Sequence, residues 1–142
     1  MNTTKEMQRF NYLAEETNNL YHKAAVKLGL SDSSMAVLYA LCYEGKCGIT
    51  DVCRLMGIQK QTVNSALRKL ESEDIVRLEA LDGKHKQIAL TPKGERFVKK
   101  TAAKLIAAEN NVFNNWSEAD RREYLRLTEK YLVDFQKEVD KL

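Results

Sequence analysis

The sequence predicts a mostly α-helical fold with one small β-hairpin, and three observations predict it. Apolar residues recur at three- and four-residue spacing along most of the chain. One short stretch, residues 75–81, alternates instead, which is strand periodicity. One proline and six glycines in 142 residues leave long segments free to be helical. The length suits a single domain by the usual ~100–200 residues per domain. Apolar content of 44% is enough for a core, and 30% charged residues suit a helix-rich surface.

The first helix is expected over residues 7–28, with Phe10, Leu13, Thr17, Leu20 with Tyr21, Ala24 and Leu28 near heptad spacing, and Gly29 as its left-handed stop. Residues 31–34 are a run of N-cap candidates for a second helix. Met35, Val37, Leu38, Tyr39, Leu41 and Cys42 leave that helix almost no polar side, so it should be central and buried. After a turn at 45–48, Thr50 is expected to cap a short third helix over 51–56 that stops at Gly57.

A fourth helix follows within a few residues, its start poorly capped because Gln59 stands where Ser or Thr is preferred. On a helical wheel Val63, Leu67 and Leu70 share one narrow side with Ala66 at its margin. Gln61, Ser65 and Arg68 lie opposite, flanked by Asn64 on one side and by Thr62 and Lys69 on the other. No acid interrupts this face before Glu71. Amide, hydroxyl and guanidinium groups can hydrogen-bond base edges and phosphates in a major groove. An ordinary amphipathic helix with a basic face reads the same in isolation. Two helices joined by a short Gly-containing turn, the second carrying this face, form a helix-turn-helix.

In 75–81, Val76, Leu78 and Ala80 fall on one side and Arg77 and Glu79 on the other. Asp82-Gly83 is a hairpin signal, residues 87–90 return as a second strand, and 82–86 form a small basic tip. Thr91 and Pro92 should start a long helix running to about Asn115, with Phe97, Thr101, Leu105, Ala108 and Val112 on one face. Residues 117–120 open a last helix carrying Tyr124, Leu127, Tyr131 and Phe135. Charge is uneven: residues 46–100 hold twelve Lys and Arg against seven Asp and Glu, while the rest of the chain has a slight acidic excess.

This order of elements resembles the winged-helix regulators of the MarR family along most of the chain. The specific matches are residues 49–57, 62–71 and 75–77, then Asp82-Gly83-Lys84 leading into Leu90-Thr91-Pro92-Lys93-Gly94, the closing Leu-Thr-x-x-Gly being the most specific. Two positions depart from the pattern. Asp74 stands where members commonly have Gly, and Lys84 where many have Arg, keeping the charge but losing the planar fork.

The resemblance implies a winged helix-turn-helix lobe at about 31–92 within a single 142-residue domain. Helices at about 5–29 and 93–142 would hold a homodimer on a pseudo-palindromic operator. It implies a sequence-specific double-stranded DNA-binding regulator, a repressor relieved by an effector, and not an enzyme. Lys60, Gln61, Thr62, Asn64, Ser65, Arg68 and Lys69, with Lys84, His85 and Lys86 of the wing, are the DNA-binding candidates. Dimerisation has independent support, because the terminal helices carry more apolar surface than one short lobe can cover.

Tyr39 and Tyr43, spaced i, i+4, either line a pocket for a small aromatic or apolar effector or are core aromatics. His22 and His85 are the only histidines, and with no Cys-x-x-Cys or His-x-x-x-His spacing neither a metal site nor a cofactor is expected. Cys42, Cys47 and Cys53 are read as reduced thiols. Cys53 beside Arg54, or Cys47 near Lys46, would have a lowered pKa if the chain senses oxidants. A winged-helix protein-interaction module is the other alternative. No apolar run reaches the ~20 residues of a membrane span, and the first residues lack the apolar segment of a secretory signal. A cytoplasmic protein with no membrane partner is the expectation.

Overall fold

The computed structural model describes residues 4–142 in seven helices and one hairpin: α1 (Lys5–Lys27), α2 (Asp32–Glu44), α3 (Ile49–Met56), α4 (Lys60–Ser72), β1 (Val76–Asp82), β2 (His85–Leu90), α5 (Pro92–Lys100), α6 (Ala102–Asn114) and α7 (Glu118–Val139). Two compact units divide it, the first running through Ile106 and the second Ala107–Leu142.

In the first unit α2 is the centre, as its near-continuous apolar sequence requires. Ser31 caps it by accepting the Ser34 N–H at 3.1 Å, and Met35, Val37, Leu38, Ala40 and Leu41 are buried. Val52 of α3, Val63, Ala66, Leu67 and Leu70 of α4, Ile75, Val76 and Ile88 complete the core. The α4 wheel thus turns inward the side its spacing assigns to the core. Val98 and Ala102 are buried in the same core. By packing, α5 therefore joins this core.

Two boundaries differ from expectation. Helix α3 begins two residues early, because the Gly48 N–H donates to Asp51 Oδ2 at 2.9 Å and so supplies the cap; Thr50 lies inside the first turn. The long helix after Pro92 is broken at Thr101 (φ −127°, ψ −99°), whose hydroxyl donates to the Phe97 carbonyl at 2.9 Å. Thr17 and Thr128 make the same back-bond inside unbroken helices, so the break lies in the non-helical backbone angles of Thr101 and not in its hydroxyl bond.

The hairpin pairs Val76 with Leu90 through Ala80 with Lys86, then slips so that Asp82 faces His85 and only Gly83-Lys84 forms the turn. Of the β1 side that alternation marks as apolar, only Val76 is buried; Leu78 is 36% exposed and Ala80 is exposed. The hairpin leaves the lobe beyond its base. A two-bond bridge from Cys47 to Ile88 (3.3 and 2.7 Å) ties that base to the segment before α3.

Helix α4 ends in a Schellman turn: the Ile75 N–H reaches Leu70 O at 2.9 Å and the Asp74 N–H reaches Glu71 O at 3.0 Å. The left-handed position of that turn falls on Asp74, φ +58°, the position where a glycine is common in the resembled family. Thr91 locks the next element onto it. Its hydroxyl donates to Asp74 O at 2.5 Å and accepts the Gly94 N–H at 2.9 Å, capping α5 with Pro92 at the first helical position.

In the second unit Ser117 caps α7 by accepting the Asp120 N–H at 3.0 Å. Phe113, Trp116 and Tyr124 stack at the α6–α7 corner with ring centroids 5.3–6.0 Å apart. Arg121 closes the end of α6 by donating to Phe113 O at 2.9 Å.

Candidate nucleic-acid interface

The local sequence of α4 leaves its N-terminus open. Gln59 makes no side-chain cap bond, and no acid occupies the first turn. The early N–H groups of such a helix point at any anion placed before them. Lys60, Gln61, Thr62, Ser65, Arg68 and Lys69 are exposed and Asn64 is half-buried, with Gln61, Ser65 and Arg68 opposite the buried Val63, Leu67 and Leu70, Thr62, Asn64 and Lys69 on the flanks and Lys60 at the helix start. The expected α4 candidates thus lie together on one helix face.

Lys84 sits in the two-residue turn at the hairpin tip, with His85 and Lys86 exposed beside it on β2. The tip is tighter than the five-residue basic loop expected from sequence. His85 is engaged within the hairpin: its Nδ1 lies 2.8 Å from Asp82 Oδ1. Asp82 therefore orients an imidazole at the turn.

Sequence reasoning missed the anchoring of the hairpin. Glu79 accepts from Lys46 Nζ at 3.0 Å and from Arg77 Nε at 2.9 Å, joining β1 to the segment that leads into α3. These hydrogen bonds, Lys46 first, hold the Glu79 carboxyl below the usual range. The Arg-x-Glu spacing on one side of a strand was a visible signal for half of this arrangement; Lys46, thirty-three residues away, was not.

Cys42 and Cys47 do not have the environment expected of a sensor. Burial pushes the Cys47 thiol up, and the Asp51 and Glu44 carboxylates push it further, so proximity to Lys46 does not lower it. Burial likewise raises Cys42. Arg54 leans towards Asp51, at 3.6 Å. The Tyr39 and Tyr43 rings meet at 5.1 Å, and Tyr43 is 58% exposed, which places that side chain outside the core. No single helix among the described residues is long and apolar enough to cross a membrane.

A helix-turn-helix whose second helix is followed by a tethered antiparallel hairpin is a winged helix-turn-helix. Residues 28–87 match the model of the MarR family. No curated protein matches the chain in sequence. Among solved structures, the chain is similar to a MarR family regulator from Neisseria meningitidis at TM-score 0.86 and 15% identity, over 97% of this chain and 99% of that one. It is similar to Staphylococcus aureus MepR, seen in a complex with DNA, at TM-score 0.71 and 18% identity over 94% and 99% of the two chains. Bordetella bronchiseptica BpsR, whose DNA binding is regulated by 6-hydroxynicotinic acid, matches at TM-score 0.66 and 20% identity over 86% and 97%. At these identities the likeness establishes the fold, that of MarR family regulators.

Proposed function

We propose that this chain is a sequence-specific double-stranded DNA-binding transcriptional regulator, acting as a homodimer on a pseudo-palindromic operator and repressing until an effector binds. The observation that carries the reading is the α4 surface: an uncapped, acid-free N-terminus leading into exposed Gln61, Ser65 and Arg68. Gln61, Ser65 and Arg68 read bases, while Lys60, Thr62, Asn64 and Lys69 hold phosphates or neighbouring edges. Lys84, His85 and Lys86 grip the backbone or the minor groove as a wing. The DNA complex of the similarly folded MepR supports this use of the fold. A protein-interaction module fits less well, since its docking helix would present an aromatic or Leu anchor where this face carries amide, hydroxyl and guanidinium.

The effector is a small aromatic or apolar molecule bound near Tyr39 and Tyr43, a reading supported by the exposed Tyr43 ring and by the control of BpsR by 6-hydroxynicotinic acid. A redox trigger at Cys47 is disfavoured by its raised pKa.

The test compares affinity for a selected operator and for random duplex across a salt series. Arg68→Ala should cost about 1–3 kcal/mol on the operator and little on random DNA. Removing Lys84 and Lys86 together should weaken both duplexes alike and lower the salt slope by about one unit per lost phosphate contact. An Arg68→Ala protein with full operator affinity and preference would overturn the base-reading assignment.

A further inference from the structure

Residues 92–104 carry five Lys and Arg against one acid, a larger positive excess than the +3 of the whole chain. Lys93, Arg96, Lys99, Lys100 and Lys104 are all exposed, as is the single acid Glu95. None of the five is ion-paired to a carboxylate among the described residues; Lys93 donates instead to the backbone carbonyl of Glu73 at 2.7 Å. Helix α7 shows the ordinary alternative. There Arg122, Arg126, Lys130 and Lys137, and Lys141 just past its end, each pair with an acid about one turn away.

Like charges crowded on one helix repel, and α5 leaves them uncompensated. Lys93, Arg96 and Lys100 follow three- and four-residue spacing, so they form a stripe on α5, with Lys99 beside it. Together with Phe97 these four border an open hollow of about 380 Å³. The stripe runs roughly 10 Å at 1.5 Å per residue, and a single DNA strand places one phosphate per ~3.4 Å of axis. One carboxylate ligand would neutralise one of these cations, whereas a phosphate backbone passing the stripe would neutralise several.

We infer that the α5 cations form a second DNA-backbone surface, separate from α4 and the wing, that takes phosphates of duplex flanking the operator. The Lys93–Glu73 bond pins this surface beside the C-terminal end of α4. Exposed Glu71, Glu73 and Asp74 lie between the α4 cations and α5, so the duplex does not run continuously from one to the other. It reaches α5 as a flank, bent toward the lobe. The inference rests on the DNA-binding reading proposed above.

The test uses full-length protein carrying Arg96→Gln, Lys99→Gln and Lys100→Gln, leaving Lys93 to hold Glu73. The probes are a wild-type-selected operator trimmed to its protected bases, the same operator extended by about one helical turn or two on each side, and a random duplex of the extended length. On the extended and random duplexes the variant's salt slope should be shallower than wild type by two to three units for each protomer whose α5 meets the duplex, at ~0.9 per lost contact. On the trimmed operator it should match wild type. A slope unchanged on every duplex, or lowered equally on trimmed and extended operator, overturns the proposal. A second variant, Lys99→Arg with Lys100→Arg, keeps the charge and must bind as wild type does; if it also loses the long-duplex slope, the effect is structural and the proposal fails. Loss of the underlying reading looks different: wild type would then select no sequence, while the random-duplex slopes would still decide for or against the α5 surface.

Discussion

Helices α2 and α7 make the chain's clearest contrast. Seven of the thirteen residues of α2 are buried, and none of the twenty-two of α7. Helix α2 is apolar almost all round and is surrounded by α1, α3, α4 and β2, whereas α7 is rich in charge yet leaves Leu125, Leu127, Leu132, Val133 and Phe135 about half or more exposed. Helix α1 shares the second condition: of its twenty-three residues only Ala25 is buried. The lobe is stabilised by its own core. The long terminal helices carry exposed apolar surface that a second chain would cover in the proposed homodimer, at roughly 25 cal/mol per Å² covered.

The largest effect should follow from breaking that second requirement. Leu127→Glu with Leu132→Glu lies outside every residue of the lobe core, so the lobe should remain helical and cooperative while the dimer dissociates. Operator binding should then collapse, since two recognition helices ~34–36 Å apart need two lobes held together. Deleting residues 118–142 should do the same or unfold the chain. Sedimentation that finds a folded monomer with full operator affinity would refute the dimer.

The next effect tests the lobe side of the contrast. A Cβ built on Gly94 would stand 1.9 Å from the Ile75 carbonyl oxygen, a backbone atom fixed between α4 and β1. Gly94→Ala must therefore move α5 away from the hairpin base and weaken the Thr91 cap. We expect about 3 kcal/mol of destabilisation, as for severe overpacking, read as a lower urea midpoint at fixed protein concentration. A midpoint within error of wild type would show that α5 is not held against Ile75. The same position closes the Leu-Thr-x-x-Gly motif, so the motif's glycine has a steric reason here.

What was legible in the sequence was local. The α4 wheel and the Ser31, Thr91 and Ser117 caps each depend on residues within one turn of each other, and the structure places them as the spacing indicates; the Asp-Gly signal marked the hairpin, though its turn falls one residue on, at Gly83-Lys84. What was not legible depended on competition or distance. Thr101 fits a helical face by periodicity, and only its non-helical backbone angles reveal the break. Asp51 displaced Thr50 as the capping side chain because it reaches the Gly48 N–H. Glu79 finds Lys46 across the lobe, and the α5 cations stand out only once α7 shows how cations elsewhere are paired. For the candidate site, the residues on one helix face were readable, while their positioning partners were not.

The smallest predicted effect separates a tolerated strain from a needed contact within the lobe. Asp74 is the only described non-glycine residue with positive φ, and its main-chain groups complete the α4 Schellman turn and accept the Thr91 hydroxyl. The left-handed region costs an L-residue roughly 1–2 kcal/mol, less for Asp, whose short polar side chain tolerates it. Its carboxylate also lies just past the C-terminus of α4, where the helix dipole disfavours negative charge by a few tenths of a kcal/mol or more. Against these, glycine brings additional unfolded-state freedom of about 0.5–1 kcal/mol. Because the bonds come from the main chain, Asp74→Gly keeps all of them. We expect a net gain of up to about 1 kcal/mol, seen as a raised urea midpoint at fixed protein concentration. Asp74→Asn, which removes the charge but keeps left-handed tolerance, should recover only the dipole part. If glycine lowers the midpoint, the aspartate side chain makes a contribution to the turn that its backbone geometry does not account for.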